Sequence, residues 1–137
     1  MTIESVFPKV REIIADVLVI EESDVTLDRR LIADLGAESI DFLDLVFQLE
    51  KEYSIKIPRG KLEKNARGSL SEDEFEKNGV LTTKGLAALK AYLSEVPAEY
   101  FKDNMKVSEI PMLFTVETFC KLIVEAISEQ SMKESFA

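Results

Sequence analysis

The stretch that decides the fold is ADLGAESIDFLDLVFQLEKEYSIKIP, residues 33–58. Its apolar residues recur at three and four positions, the spacing of one helix face. It therefore reads as a helix from about Ser39 to Tyr53, followed by SIKIP, where Pro58 removes a donor and stops regular structure. At about 3.6 residues per turn, Phe42, Leu45, Val46, Leu49 and Tyr53 share one face, the ordinary core stripe of a bundle helix. Ile40, Leu43 and Phe47 fall on a second, adjacent face, with Glu50 at its end. Asp41, Asp44, Gln48, Lys51 and Glu52 complete the circle as a mainly acidic face. One helix of a small bundle needs one buried face. The second strip is either buried by the long segment that follows or exposed beside the acids as a docking surface. In the latter case apolar contact gives affinity and charge gives orientation and on-rate.

Ser39 stands at the N-terminal end of this helix, next to both surfaces. Capping logic alone favours an N-cap, a side-chain oxygen accepting from the orphan N–H groups of the first turn. A helix N-terminus also suits a phosphate group, because its N–H donors and its dipole both favour an anion. Ser39 is no self-activated nucleophile: the chain has no histidine to serve as base. Any chemistry at this hydroxyl must be performed by another enzyme.

Working outward, Ile3, Val6, Phe7, Val10, Ile13, Ile14, Val17 and Leu18 predict a first helix, with Pro8 in its first turn and the regular part beginning near Ser5. Residues 19–38 form a long connection with apolar anchors at Val25, Leu27, Leu31, Ile32 and Leu35, so this segment is expected to wrap over a core. Gly36 suits a tight or left-handed turn before the next helix. Residues 59–80 read as a loop with a turn of helix around Glu72–Phe75 and turn signals at Arg67-Gly68 and Asn78-Gly79. Its basic run Arg59–Arg67 reads as solvent-exposed. A further helix is expected over about 83–94, capped by a threonine at 82 or 83. Pro97 ends it or opens a short next element. The last helix begins after Thr115, with Val116, Phe119, Leu122, Ile123, Ala126 and Ile127 as its apolar face. No strand pattern stands out, and the fold class is all-α.

Composition narrows the function. The chain has 137 residues, 46% of them hydrophobic, which is enough for one modest core. With 26 acids against 17 bases the formal net charge is −9, which opposes nucleic-acid binding and favours basic protein partners. The single cysteine, Cys120, rules out an internal disulfide framework and fits a reducing cytosol. Its apolar neighbours predict a small buried hydrophobe. With no histidine and one cysteine no metal site is expected, and no catalytic residue either. The N-terminus lacks the basic start and uninterrupted apolar core of a signal peptide. No apolar run reaches the roughly 20 residues of a membrane helix, so a cytoplasmic protein without stable membrane insertion is expected.

The central motif DLGAESIDFLDLVFQLEKEYSIKIP closely resembles the acyl carrier protein signature, commonly written D-L-G-x-D-S-L-D and followed by a helix ending near I-x-I-P. VREIIADVLVIEESDVTLDRRLIADLG resembles that family's first helix and long loop, and FTVETFCKLIVEAI resembles the start of its last helix. The matching stretches cover residues 3–58 and about 114–127. The resemblance implies an up-down helical bundle with a long first loop. It implies that Ser39 receives 4′-phosphopantetheine covalently from coenzyme A, through a phosphopantetheinyl transferase using a divalent metal. The arm's thiol would then hold acyl groups as thioesters. The family's docking acids carry over onto Glu38, Asp41, Asp44, Glu50 and Glu52, and its docking apolar positions onto Ile40, Leu43 and Phe47. Asp34, Leu35 and Gly36 match the loop that sets up the helix start. Implied partners are the transferase and acyl-transferring or fatty acid synthesis enzymes with basic docking surfaces, met by a monomer.

The chain departs from the family pattern in four places. Glu38 replaces an aspartate, Ile40 replaces a leucine, and Lys51 stands where an acid is common, which implies that some partners of housekeeping carriers dock poorly. Residues 59–113 fill a gap that is much shorter in typical members, with an extra helix or helices before the last main one. The organisation expected is a single domain over 1–137 with this insertion and a frayed tail at about 129–137. The insertion implies a specialised carrier, for an unusual fatty acid, lipid A or a secondary lipid. An aminoacyl or peptidyl carrier and an unmodified helical adaptor are the alternatives. The −9 charge and Ile40-Asp41 favour acyl cargo over the first, and the intact serine motif argues against the second.

Overall fold

A computed structural model describes residues 2–57 and 61–136, apart from the side chains of Ser39, Lys61, Leu62 and 131–136. The stop expected at Pro58, Arg59 at the start of the expected basic run, and most of the tail expected to fray thus lie outside the fully described residues. The helices are α1 (Ile3–Leu18), α2 (Ser39–Tyr53), α3 (Lys61–Arg67), α4 (Glu72–Phe75), α5 (Thr83–Tyr92) and α6 (Val116–Phe136). Two short strands, β1 (Glu76–Lys77) and β2 (Val80–Leu81), pair antiparallel with Glu76 opposite Leu81. Among the described residues no helix is long and apolar enough to cross a membrane. The chain divides into two compact units, Met1–Pro58 with Thr115–Ala137, and Arg59–Phe114.

The first unit is built on α1, α2 and α6. Helix α1 starts two residues earlier than Ser5, because Thr2 caps it: Thr2 Oγ1 accepts the Ser5 N–H and Ser5 Oγ accepts the Thr2 N–H, at 3.2 and 3.0 Å. Pro8 consequently lies in the second turn, on an exposed position where a lost hydrogen bond is least costly. Val6, Val10, Ile13 and Ile14 of α1 pack with Leu45 and Leu49 of α2 and with Val116, Phe119, Cys120 and Ile123 of α6 as a buried core. Phe42 stacks on Phe119 with ring centroids 5.7 Å apart.

The long connection joins this core through Val25, Leu31 and Ala37, all buried. It also holds the start of α6. The N–H groups of Val116 and Glu117 donate to the carbonyls of Arg29 and Leu27, each at 3.0 Å. Thr115 and Thr118 cap each other, the Thr118 N–H donating to Thr115 Oγ1 at 3.1 Å and the Thr115 N–H to Thr118 Oγ1 at 3.2 Å. A helix start leaves its first N–H groups without intrahelical partners, and here loop carbonyls and the cap take them up. Nearer to α2, Asp34 Oδ2 accepts the Arg30 N–H at 2.7 Å, and the Ala37 N–H reaches the Leu31 carbonyl at 2.8 Å.

The second unit has its own core of Phe75, Leu81, Leu89, Leu93, Val96, Phe101, Met105, Ile110 and Leu113. Helix α3 and the strand pair occupy a segment expected to be loop, while α4 lies where one helical turn was expected. Asn78 and Gly79 between the strands both have positive φ, 55° and 80°, as a tight two-residue hairpin turn requires. Thr82 caps α5 by accepting the Gly85 N–H at 2.9 Å. Gly85 is there because α5 lies against the backbone of Phe75: a Cβ at position 85 would stand 1.9 Å from the Phe75 carbonyl oxygen. Pro97 precedes a short 3-10 turn at Ala98–Tyr100, and a second 3-10 segment spans Val107–Leu113. The charge is unevenly shared. The first unit's residues hold 17 acids and 8 bases, a net −9, and Arg59–Phe114 holds nine of each.

Two predictions concern the first unit. Helix α1 ends on Val19 at φ 56° and ψ 53°, left-handed and 87% exposed. A β-branched residue is strained there and buries nothing in return, so Val19→Gly should raise stability by about 0.5–1 kcal/mol in urea denaturation. The Arg30 N–H holds the Asp34 carboxyl below the usual carboxylate range. A lowered folded-state pKa contributes stability that is fully present above the unfolded value and is lost as pH falls through the folded one. Asp34→Asn should therefore be less stable than wild type at neutral pH, and the two denaturation midpoints should converge in acid. A gap that widens in acid would refute this.

Candidate functional site

The site is built around the start of α2. Gly36, at φ 77°, turns the chain, and buried Ala37 anchors it. Glu38, extended at φ −109° and ψ 168°, is the N-cap, and its N–H donates to Asp41 Oδ2 at 2.8 Å. The cap position expected for Ser39 is thus taken by Glu38, and Ser39 is the first helical residue. Its side chain lies outside the described residues. Residue 39 therefore stands at the positive end of a 15-residue helix dipole, where the first-turn N–H groups favour an anion.

The second apolar strip of α2 is exposed. Ile40, Leu43 and Phe47 are 70%, 59% and 66% accessible, whereas Leu45 and Leu49 on the core stripe are fully buried. Large apolar side chains at positions 40, 43 and 47 thus form one strip along a single face. The acids grouped with it differ in what they do. Glu50 Oε2 accepts the Ile57 N–H at 2.7 Å, tying the chain after α2 back to the helix. Asp41 is engaged with the Glu38 N–H, as described. Asp44 accepts from Gln48 Nε2 at 3.2 Å on the exposed side, and Glu52 approaches Lys9 at 3.9 Å in a solvent-exposed pair. Such a pair is nearly neutral for stability, so Glu52 keeps its availability to a partner. Glu38, Asp44 and Glu52 are exposed, and Asp41 and Glu50 are half-buried.

Cys120 is buried, and burial, followed by the nearby Glu117 charge, pushes its thiol up to about 12. At neutral pH it is a protonated core residue. Among the described residues no group of three or more acids or cysteines is placed to hold a metal ion. The structural role of Glu50 escaped the sequence reading, because its partner lies seven residues on and only the folded turn brings them together.

These residues fit a phosphate-linked arm at position 39. The helix N-terminus favours the anion, and the flanking Glu38 and Ile40 are both exposed. A Cβ at Gly36 would meet nothing within 4 Å, so the preceding turn leaves open space. Comparison with known proteins points to the same chemistry. Residues 8–67 match the family described as "Phosphopantetheine attachment site". The "Acyl carrier protein" of Thermotoga maritima is 46% identical over 61 residues, covering 44% of this chain and 75% of that protein. "Acyl carrier protein AcpXL" of Rhizobium etli is 41% identical over 70 residues, covering 50% and 76%. The "Acyl carrier protein" of Petrotoga mobilis is 42% identical over 77 residues, covering 53% of this chain and 91% of its own length. A helix start suited to a phosphate, an exposed apolar strip beside acids, a match to a phosphopantetheine attachment site and these likenesses to acyl carrier proteins lead to one conclusion: the chain belongs to the acyl carrier protein family.

Proposed function

We propose that Ser39 is the residue that carries 4′-phosphopantetheine, and that the face beside it docks the enzymes that load and use the arm. The observation that supports this most is the position of Ser39: it opens α2 within the matched attachment region, between exposed neighbours. In the attachment step Ser39 Oγ forms a phosphate ester while the pyrophosphate bond of coenzyme A breaks and 3′,5′-ADP leaves. The hydroxyl proton goes to the transferase, since this chain has no histidine to take it. Once attached, the arm supplies a thiol on which acyl groups ride as thioesters.

Ile40, Leu43 and Phe47 give the partner apolar contact, and Glu38, Asp41, Asp44, Glu50 and Glu52 give a negative field that steers basic surfaces. The two units work together as one monomeric, cytoplasmic carrier domain with 59–113 as an insertion. That insertion, which typical carriers lack, supports a specialised role in fatty acid, lipid A or secondary lipid synthesis. Acyl groups on the protein purified from its host would be other than the ordinary straight-chain ladder.

Incubation with coenzyme A, magnesium and a promiscuous phosphopantetheinyl transferase should add one phosphopantetheine to the intact mass of wild type and none to Ser39→Ala. An equal gain on Ser39→Ala would move the attachment elsewhere. No gain with several transferases, and none on the protein from its host, would favour the adaptor. For docking, Leu43→Ser and Phe47→Ser should each lower the transferase kcat/KM by roughly five- to thirty-fold, equivalent to about 1–2 kcal/mol of contact energy. Their thermal midpoints should stay near wild type, because both side chains are exposed in the folded protein.

A further inference from the structure

Beyond the strip at the start of α2 lies a groove of about 520 Å³ at its other end, lined by Phe47, Glu50, Lys51, Ile55, Lys56 and Gln130 among others. All of its lining belongs to the first unit. Phe47 is shared between the exposed strip and this groove, so the two form one continuous surface. Their charges differ: the strip is flanked by acids alone, whereas the groove holds two lysines beside the one carboxylate of Glu50. The N-terminal end of α2 carries Glu38, Asp41 and Asp44. At the groove, Lys51 and Lys56 are exposed. The carboxylate of Glu50 is held by the Ile57 N–H, and Gln130 Nε2 is held by the Ser54 carbonyl at 2.8 Å. Among the described residues, Lys51 and Lys56 are thus the cationic groups presented at a groove with an apolar wall, Phe47, and an apolar floor, Ile55, which is 3% exposed.

We propose that this groove is a second docking subsite, and that it takes an acidic segment of a partner enzyme. An apolar side chain of that segment lies on Phe47 and Ile55, and an adjacent aspartate or glutamate reaches Lys51 and Lys56. This rests on the reading of α2 as a docking face and deepens it by naming the partner's charge pattern. A partner that fits the whole surface is basic where it meets Glu38 and Asp44 and acidic where it meets Lys51. A uniformly basic surface meets repulsion at Lys51 and Lys56, and like-charge juxtaposition is an effective means of rejecting wrong partners. Lysine near a helix C-terminus also complements the dipole, but that accounts only for Lys51, since Lys56 lies beyond the helix.

The test uses the full chain loaded by a transferase and biotinylated, with a random-peptide phage library as probe. Enriched peptides should pair an apolar residue with Asp or Glu. Their affinity should fall by about tenfold or more for the double variant Lys51→Glu/Lys56→Glu. In the labelled protein they should shift the backbone amides of Phe47, Ile55 and Gln130. The variant's far-UV spectrum checks that it is folded, which is expected since both lysines are exposed. Basic peptides, peptides indifferent to the double variant, or no enrichment at all would each overturn the subsite. Concentration-dependent self-association abolished by the double variant would also overturn it, in favour of a second copy as occupant. The intact mass of wild type is read in the same preparation, so a failure of Ser39 to be modified is seen separately from a failure of the groove.

Discussion

The first unit depends on how α6 is held at its start. Three consecutive N–H groups, on Val116, Glu117 and Thr118, are taken up by the carbonyls of Arg29 and Leu27 and by Thr115 Oγ1. Left buried and unpaired, each would cost about 1–3 kcal/mol. Because two of the acceptors belong to the long connection, the same bonds fix both α6 and the loop. The loop in turn sets the start of α2: Leu31 is buried, its carbonyl accepts the Ala37 N–H, and Gly36 and Glu38 follow in the one arrangement that starts the helix at residue 39. The start of α2 is thus tied, through the loop, to the capping of α6 near the other end of the sequence.

Charge and apolar exposure are distributed to the same purpose. The whole net charge of −9 belongs to the unit that holds α2, while Arg59–Phe114 is balanced. The long-range negative field therefore originates from the unit that holds α2, and Arg59–Phe114 neither adds to it nor opposes it by net charge. Close to the surface the field is less uniform, since Glu50 is committed to the backbone of Ile57 and Lys51 and Lys56 stand nearby.

Much of this was legible in the sequence, for identifiable reasons. The limits of α2, a threonine cap of α5 at 82 or 83, of which the structure uses Thr82, and the start of α6 after Thr115 follow from strong periodicity and from threonines placed before apolar runs. The exposed strip was one of two readings of the wheel. The cap of α2 misled, because serine is the better intrinsic cap and the turn at Gly36 together with buried Ala37 outweighs that preference. Helix α3 was read as loop because Lys61–Arg67 is mostly charged, with apolar residues only at Leu62 and Ala66. The hairpin was missed because strands of two residues are too short to show alternation. Its signal was Asn78-Gly79 alone. The cap at Thr2 moved the start of α1 ahead of the position that Pro8 suggested.

The division of the chain has a consequence for how it folds. The first unit is discontinuous: residues before Pro58 must find residues after Thr115 to complete the α1, α2 and α6 core. The second unit is one continuous segment with its own buried cluster. Loop-closure entropy rises only with the logarithm of loop length, by about 0.6 kcal/mol for each doubling. A segment that collapses on itself also shortens the effective span that its host must close. A core built from α1, α2 and α6 can therefore close across an intervening segment of this size at little thermodynamic cost, provided that the segment supplies its own core, as Arg59–Phe114 does.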